Sequence, residues 1–219
     1  MSPRSKHLLQ AAVAAGPLFI GAALVQGALR PGYDPMRHPV SSLAIGRGGW
    51  VQRLNFLVTG VLYLAGSAGL APSSRGGGSP QTSAGPILVS TVGLGLIGAA
   101  VFTTDPISGY PPGSPPTQDP LSLQARLHNL ASTPVFLCLP AAAAVYAHAF
   151  YRSGNRGWMV LSLGAALAQL GTFVLAGAGF AQQPAFVAHA GLAQRVSLAS
   201  GFGWLTAIAG RALARSGKD

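Results

Sequence analysis

Polar and apolar positions fall into blocks along this chain. Six long runs are nearly free of charge: Leu8 to Leu29, Val51 to Ala71, Gly85 to Thr103, Leu127 to Tyr151, Gly157 to Ala181 and Val196 to Leu213. Each is close to the 20 or so apolar residues that a helix needs to cross a bilayer core of roughly 30 Å. The pattern predicts an all-α protein, a polytopic helix bundle forming a single six-span transmembrane domain over residues 1–219. The first run follows Arg4 and Lys6 as a secretory signal would. It is longer than a usual signal core and no Ala-x-Ala site precedes Arg30, so it reads as a retained span.

Composition strengthens this. Charged residues make up 8% of the chain, and the four acids are Asp34, Asp105, Asp119 and Asp219, too few to keep a soluble protein of this length dispersed. The formal charge of +10 comes from basic residues scattered between the apolar runs rather than gathered on one stripe, which argues against nucleic acid. The lone Cys138 lies inside an apolar run and reads as a packing residue.

The basic residues orient the bundle. With a cytoplasmic N-terminus, the inner side holds Arg4, Lys6, Arg75, Arg152, Arg156, Arg211, Arg215 and Lys218, and the outer side holds Arg30, Arg37, Arg47, Arg53, Arg126 and Arg195. That bias is in the direction of the positive-inside rule and places both termini in the cytoplasm. The inner connections are a Gly/Ser/Pro linker from Pro72 to Gly85 and a tight turn from Arg152; the outer ones are long and carry most of the side chains capable of chemistry. Small residues recur within the spans, in "GLGLIGAA" from Gly93 and "GAALAQLG" from Gly164, and predict closely approaching helices.

The polar residues concentrate at the outer ends of the spans. The first outer loop supplies Asp34, His38, Ser41 and Ser42; Gln52, Asn55 and Thr59 then share one helical face. Asp105 ends the third span, where the helix dipole calls for a cationic partner, and Arg195 at the start of the sixth is a natural candidate. Asp119, ahead of Pro120, is placed like the N-cap of the fourth helix. Further along the fourth span, His128 and Ser132 lie four apart with Asn129 adjacent, a polar patch just below the surface. The expectation is an outer-face binding cluster of Asp34, His38, Ser41, Ser42, Asn55, Asp105, His128 and Arg195. Its bland counterpart is a set of caps and turn formers at wet helix ends.

Four stretches, "YDPMRHPVSSLAIGRGGWVQRLNF", "FTTDP", "RLHNLAS" and "GLAQRVSL", together resemble the signature segments of the bacterial membrane family known as Domain of Unknown Function 998. The resemblance implies a six-span protein of the bacterial plasma membrane and supplies no activity. The residues themselves leave several functions open. One is binding or transport of a lipid headgroup or small polar solute, with Arg195 pairing an anion. Another is a metal-assisted hydrolase of a lipid-like substrate, in which His38, Asp105 and His128 hold zinc and lower the pKa of its water. A third is a structural accessory subunit whose cluster fixes helix order. Haem held by paired histidines is a weaker fourth. No nucleophile motif, phosphate loop or CxxC pair is present, so no reaction is assigned.

Overall fold

The computed structural model describes residues 2–71 and 82–215. It contains six long helices: α1 (Pro3–Leu29), α2 (Gly49–Leu70), α3 (Ala84–Val101), α4 (Leu123–Arg152), α5 (Arg156–Phe180) and α6 (Ala190–Arg215). Among the described residues there is no β-strand, only an isolated bridge between Ile107 and Tyr110. Short 3-10 turns cover Val40–Ala44 and Val187–His189. The helices begin up to six residues before the apolar runs do, because a polar turn above the bilayer continues the helix without being apolar. The inner linker read over Pro72 to Gly85 lies, for residues 72–81, outside the described residues.

Five of the six, α1 to α5, are long and apolar enough to cross a membrane. The sixth is long enough but diluted by Ser197, Ser200, Gly201, Gly203 and Arg211. It tolerates this because it is walled by α5 on one side and α1 on the other. Its inward face, Leu198, Phe202, Leu205, Ile208 and Ala209, is buried.

Each helix packs on its neighbours in sequence and α6 returns to α1, so the bundle is a closed ring in chain order. Side-chain hydrogen bonds cross every seam. Asn55 donates to the Phe19 carbonyl (3.1 Å) between α2 and α1, and Ser90 to Ser67 (2.8 Å) between α3 and α2. Gln169 donates to the Val135 carbonyl (2.8 Å) between α5 and α4, and Trp204 to Ser162 (2.9 Å) between α6 and α5. Thr206 donates to Val13 (3.3 Å) and closes the ring, while His128 ties the head of α4 to the end of α3. In hydrocarbon, where apolar burial gives helices no mutual attraction, such bonds and close packing hold them together, at about 0.6 to 2 kcal/mol per bond.

Small residues bring the backbones near. A Cβ on Gly60 would stand 2.7 Å from the Gly93 carbonyl oxygen, and one on Gly93 would stand 2.8 Å from that of Gly60. Gly66 sits as tightly against Ala12, and Gly95 and Gly98 against Ala131. The close approach expected at Gly164 is not found. Gly164 and Gly171 face open space, because α5 buries only the narrow strip of Ser162, Ala166, Gln169, Ala176 and Gly179.

The connections 30–48, 102–122 and 181–189 meet at one end of the ring. Gln182 bonds Ser108 (3.1 Å), the Leu192 N–H donates to the Met36 carbonyl (2.9 Å), and the Tyr33 and Tyr110 rings meet edge-on at 5.2 Å. This loop-rich end forms one continuous cap.

Candidate functional site

Beneath the cap lies a cavity of about 370 Å³ to which all six helices contribute. Phe19 of α1, Phe56 of α2, Leu96 and Ala99 of α3, Phe136 of α4, Phe173 and Phe180 of α5 and Leu198 of α6 supply its apolar wall. Pro39, Val40 and Ser41 come down from the first connection and Thr104 and Ile107 from the second. The polar lining is His128, Asn129, Ser132, Thr133, Gln194, Thr104 and Ser41; among the described residues no Asp, Glu, Lys or Arg reaches it. Away from the loops, Phe202 packs behind Phe19 (5.1 Å) and Tyr63 behind Phe202 (5.3 Å), so an aromatic layer underlies the space.

The residues singled out from sequence fall into four environments. Ser41 and His128 line the cavity. His128 is 3% exposed and its Nδ1–H donates to the Phe102 carbonyl (2.9 Å), one of the groups left unpaired where α3 ends. That bond fixes the orientation of the ring.

Asp34, His38 and Arg195 form a separate knot above the cavity, built around Tyr33. Arg195 donates to the carbonyls of Pro35 (2.6 Å), His38 (3.0 Å) and Gly191 (2.9 Å), makes a short hydrogen bond to the Tyr33 hydroxyl, and lies over the Tyr33 ring at 5.5 Å. The Tyr33 hydroxyl in turn donates to Pro39 (3.0 Å). Burial pushes the Tyr33 phenol above its ordinary value against the pull of Arg195. His38 accepts the Asp34 N–H at Nδ1 (2.8 Å), so its proton sits on Nε2, beside the Ser108 backbone carbonyl. Burial lowers its pKa, and the nearby Asp34 only partly offsets this. Gly191 is obligatory here, since a Cβ would stand 2.5 Å from the His38 carbonyl oxygen. The knot holds down the Val40–Ala44 turn, which Gln194 (from the Val40 N–H, 2.8 Å) and Arg30 (to Leu43, 2.7 Å, and Ile45, 3.2 Å) pin from beneath and from the side.

Asp105 does not meet Arg195. Its carboxylate accepts from the N–H (2.8 Å) and hydroxyl (2.7 Å) of Ser122. Ser122, and not Asp119, is the N-cap of α4, its Oγ accepting the Ala125 N–H at 3.1 Å. Both residue types cap well; the contact with Asp105 decides between them. Asn55 and Ser42 form the fourth group, outside the cavity lining: Asn55 on the α1–α2 seam and Ser42 in the Val40–Ala44 turn. Asn55 bridges Phe19 and Gln52, and Ser42 is fully buried with its hydroxyl unpaired among the described residues.

His38, Asp105 and His128, the set considered for zinc, thus stand in three different hydrogen-bonded settings. Among the described residues, no three His, Cys, Asp or Glu side chains come close enough together to hold a metal ion. Sequence reasoning missed Tyr33, the keystone of the knot, and the five phenylalanines of the cavity wall.

A family model described as Protein of unknown function (DUF998) matches residues 13–211. No curated protein and no solved structure matches the chain.

Proposed function

The chain belongs to the DUF998 family, whose description assigns no chemistry, and from that premise we propose that it is a membrane binding protein that takes an uncharged or amphiphilic small molecule into the cavity under its cap. The observation that carries this reading is the lining itself. A space of about 370 Å³, walled by phenyl rings with a few uncharged polar groups, lies within the roughly 300 to 1,000 Å³ of small-molecule sites and has their composition. A charged solute would find no counter-ion there. Three of the arginines at this end, Arg30, Arg53 and Arg195, are engaged by backbone carbonyls, and among the described residues no arginine lines the cavity. Binding of an anion through Arg195 and a zinc-assisted hydrolysis both lose their main support. Pro39, Val40 and Ser41 line the site from the side of the first connection.

The test is to extract the protein from membranes in mild detergent and identify molecules retained stoichiometrically by mass spectrometry. Ala99→Leu and Leu198→Phe fill the cavity from opposite walls and should abolish retention in folded protein. Equal content in the wild type and both variants would remove this reading.

The orientation proposed with it places the cap outside the bacterial plasma membrane and both termini in the cytoplasm, following the basic bias of the connections. In a Cys138→Ala background, cysteine at Gly113 should react with an impermeant reagent added to whole cells and cysteine at Gly154 should not. The opposite result inverts the bundle.

A further inference from the structure

The cavity reaches the flank of the bundle along the α4–α5 seam. Asn129, Ser132, Thr133 and Phe136 lie at helical spacing on one face of α4, and Phe136 stacks on Phe173 of α5 with ring centroids 4.4 Å apart, so that face is turned toward α5. All four line the cavity, yet Asn129 and Thr133 are exposed, as is Gly177 opposite them on α5. At a sealed seam these residues would be covered. The α4–α5 hydrogen bond, from Gln169 to Val135, involves the residue next to Phe136, on the side of the seam away from the loops.

The sequence supplies the cause. Gly95 and Gly98 let α3 draw the first turns of α4 against itself through Ala131. Pro134 lacks the N–H that would bond the Leu130 carbonyl and so loosens α4 at that level. The head of α4 is therefore held by α3 and released from α5. Ser132 and Thr133 both donate their hydroxyls to the Asn129 carbonyl (3.2 and 2.8 Å), which leaves their oxygens as acceptors at the opening. His128 lines the same cavity.

Building on the cavity reading above, we propose that this opening is a lateral portal and that the ligand is a single-chain membrane lipid with an uncharged, hydroxyl-bearing head. The chain lies among Phe56, Phe136 and Phe173, and the head donates to Ser132 and Thr133, beside His128. The size argues for one chain, since about 370 Å³ is at the small end of the usual range of sites and excludes a whole two-chain phospholipid. The absence of charged lining side chains argues against a phosphate or ammonium head.

The experiment uses the full chain in phosphatidylcholine vesicles with a monoacylglycerol carrying a photoactivatable diazirine in its acyl chain. The wild type should be labelled on the α4 and α5 faces that line the cavity. Gly177→Trp and Thr133→Trp should lose most of that labelling, while Gly171→Trp, on open lipid-facing helix, should keep it. Gly177→Leu serves as the milder block, and thermal melting confirms that each variant is folded. Labelling lost in Ala99→Leu but kept in both portal variants would overturn the portal and leave the cavity reading standing. Labelling indifferent to Ala99→Leu as well would overturn the cavity reading itself. Equal competition by unlabelled monoacylglycerol and lysophosphatidylcholine would overturn the neutral-head assignment.

Discussion

Arg195 and Tyr33, 162 positions apart, are joined by a short hydrogen bond between guanidinium and hydroxyl. Around that bond the first connection is fastened to the head of α6. Hydrogen bonds involving a charged group contribute about 1.5 to 3 kcal/mol, and neutral ones about 0.5 to 1.5. Arg195→Gln is expected to cost roughly 2 to 3 kcal/mol, and Tyr33→Phe about 1. Arg195→Lys should recover only part, because an ammonium cannot fan out to three carbonyls and a phenol at once. A double-mutant cycle by thermal or denaturant unfolding in detergent should show coupling between Arg195 and Tyr33; strict additivity would mean that they do not meet.

The second expectation concerns pH. His38 is held neutral, with its folded pKa below the ordinary 6.5. Between those two values the unfolded chain binds the extra proton and the folded one does not, so stability rises with pH across that window and falls as pH drops below about 6.5. Protonation also removes the acceptor for the Asp34 N–H. Melting temperatures between pH 7.5 and 5 should fall for the wild type, while His38→Asn, which keeps an acceptor and does not titrate, should flatten this dependence. An unchanged slope in the variant would assign the effect to another group.

The glycines separate into two classes. Gly93→Leu and Gly98→Leu place a side chain into a backbone or Cβ at 2.8 and 2.7 Å. Overpacking of this kind costs typically 1 to 3 kcal/mol and at backbone contacts more, so folded yield should collapse. Gly164→Leu and Gly171→Leu meet nothing within 4 Å and replace a poor helix former, so both should fold at least as well as the wild type. Size-exclusion profiles after detergent extraction would show the difference. Comparable yields for all four would remove the close-crossing argument.

At the head of α4, Asp105 and Ser122 act as one unit. Ser122→Ala removes the cap and the hydroxyl donor to Asp105, leaving only the backbone N–H, and should cost about 1 to 2 kcal/mol. Asp105→Asn keeps one acceptor and should cost less. Because the two share the same bonds, their effects should not add, whereas Asp105→Asn and Arg195→Gln should add within about 0.5 kcal/mol. Coupling of the second pair would place the two residues together after all.

What the amino-acid sequence determined by itself was the set of helices and the end at which chemistry gathers. Six long runs nearly free of charge become six helices because in hydrocarbon the backbone must satisfy its own hydrogen bonds, and run length is a local property that needs no partner to be read. The buried face of Gln52 and Thr59 was legible for the same reason: helical spacing puts them together whatever surrounds the helix. Only the tertiary structure decided which polar residues meet. Arg195 chose the carbonyls of Pro35, His38 and Gly191 over the carboxylate of Asp105, and every residue carries a carbonyl, so nothing in the residue types marked those three. Asp105 and Ser122 were brought together by the path of the 102–122 connection, and that contact moved the helix start from Asp119 to Ser122. The cavity is the extreme case. Its wall takes one or more residues from each of six helices, so it exists only through the order and spacing of the closed ring, which the glycine contacts set in three dimensions.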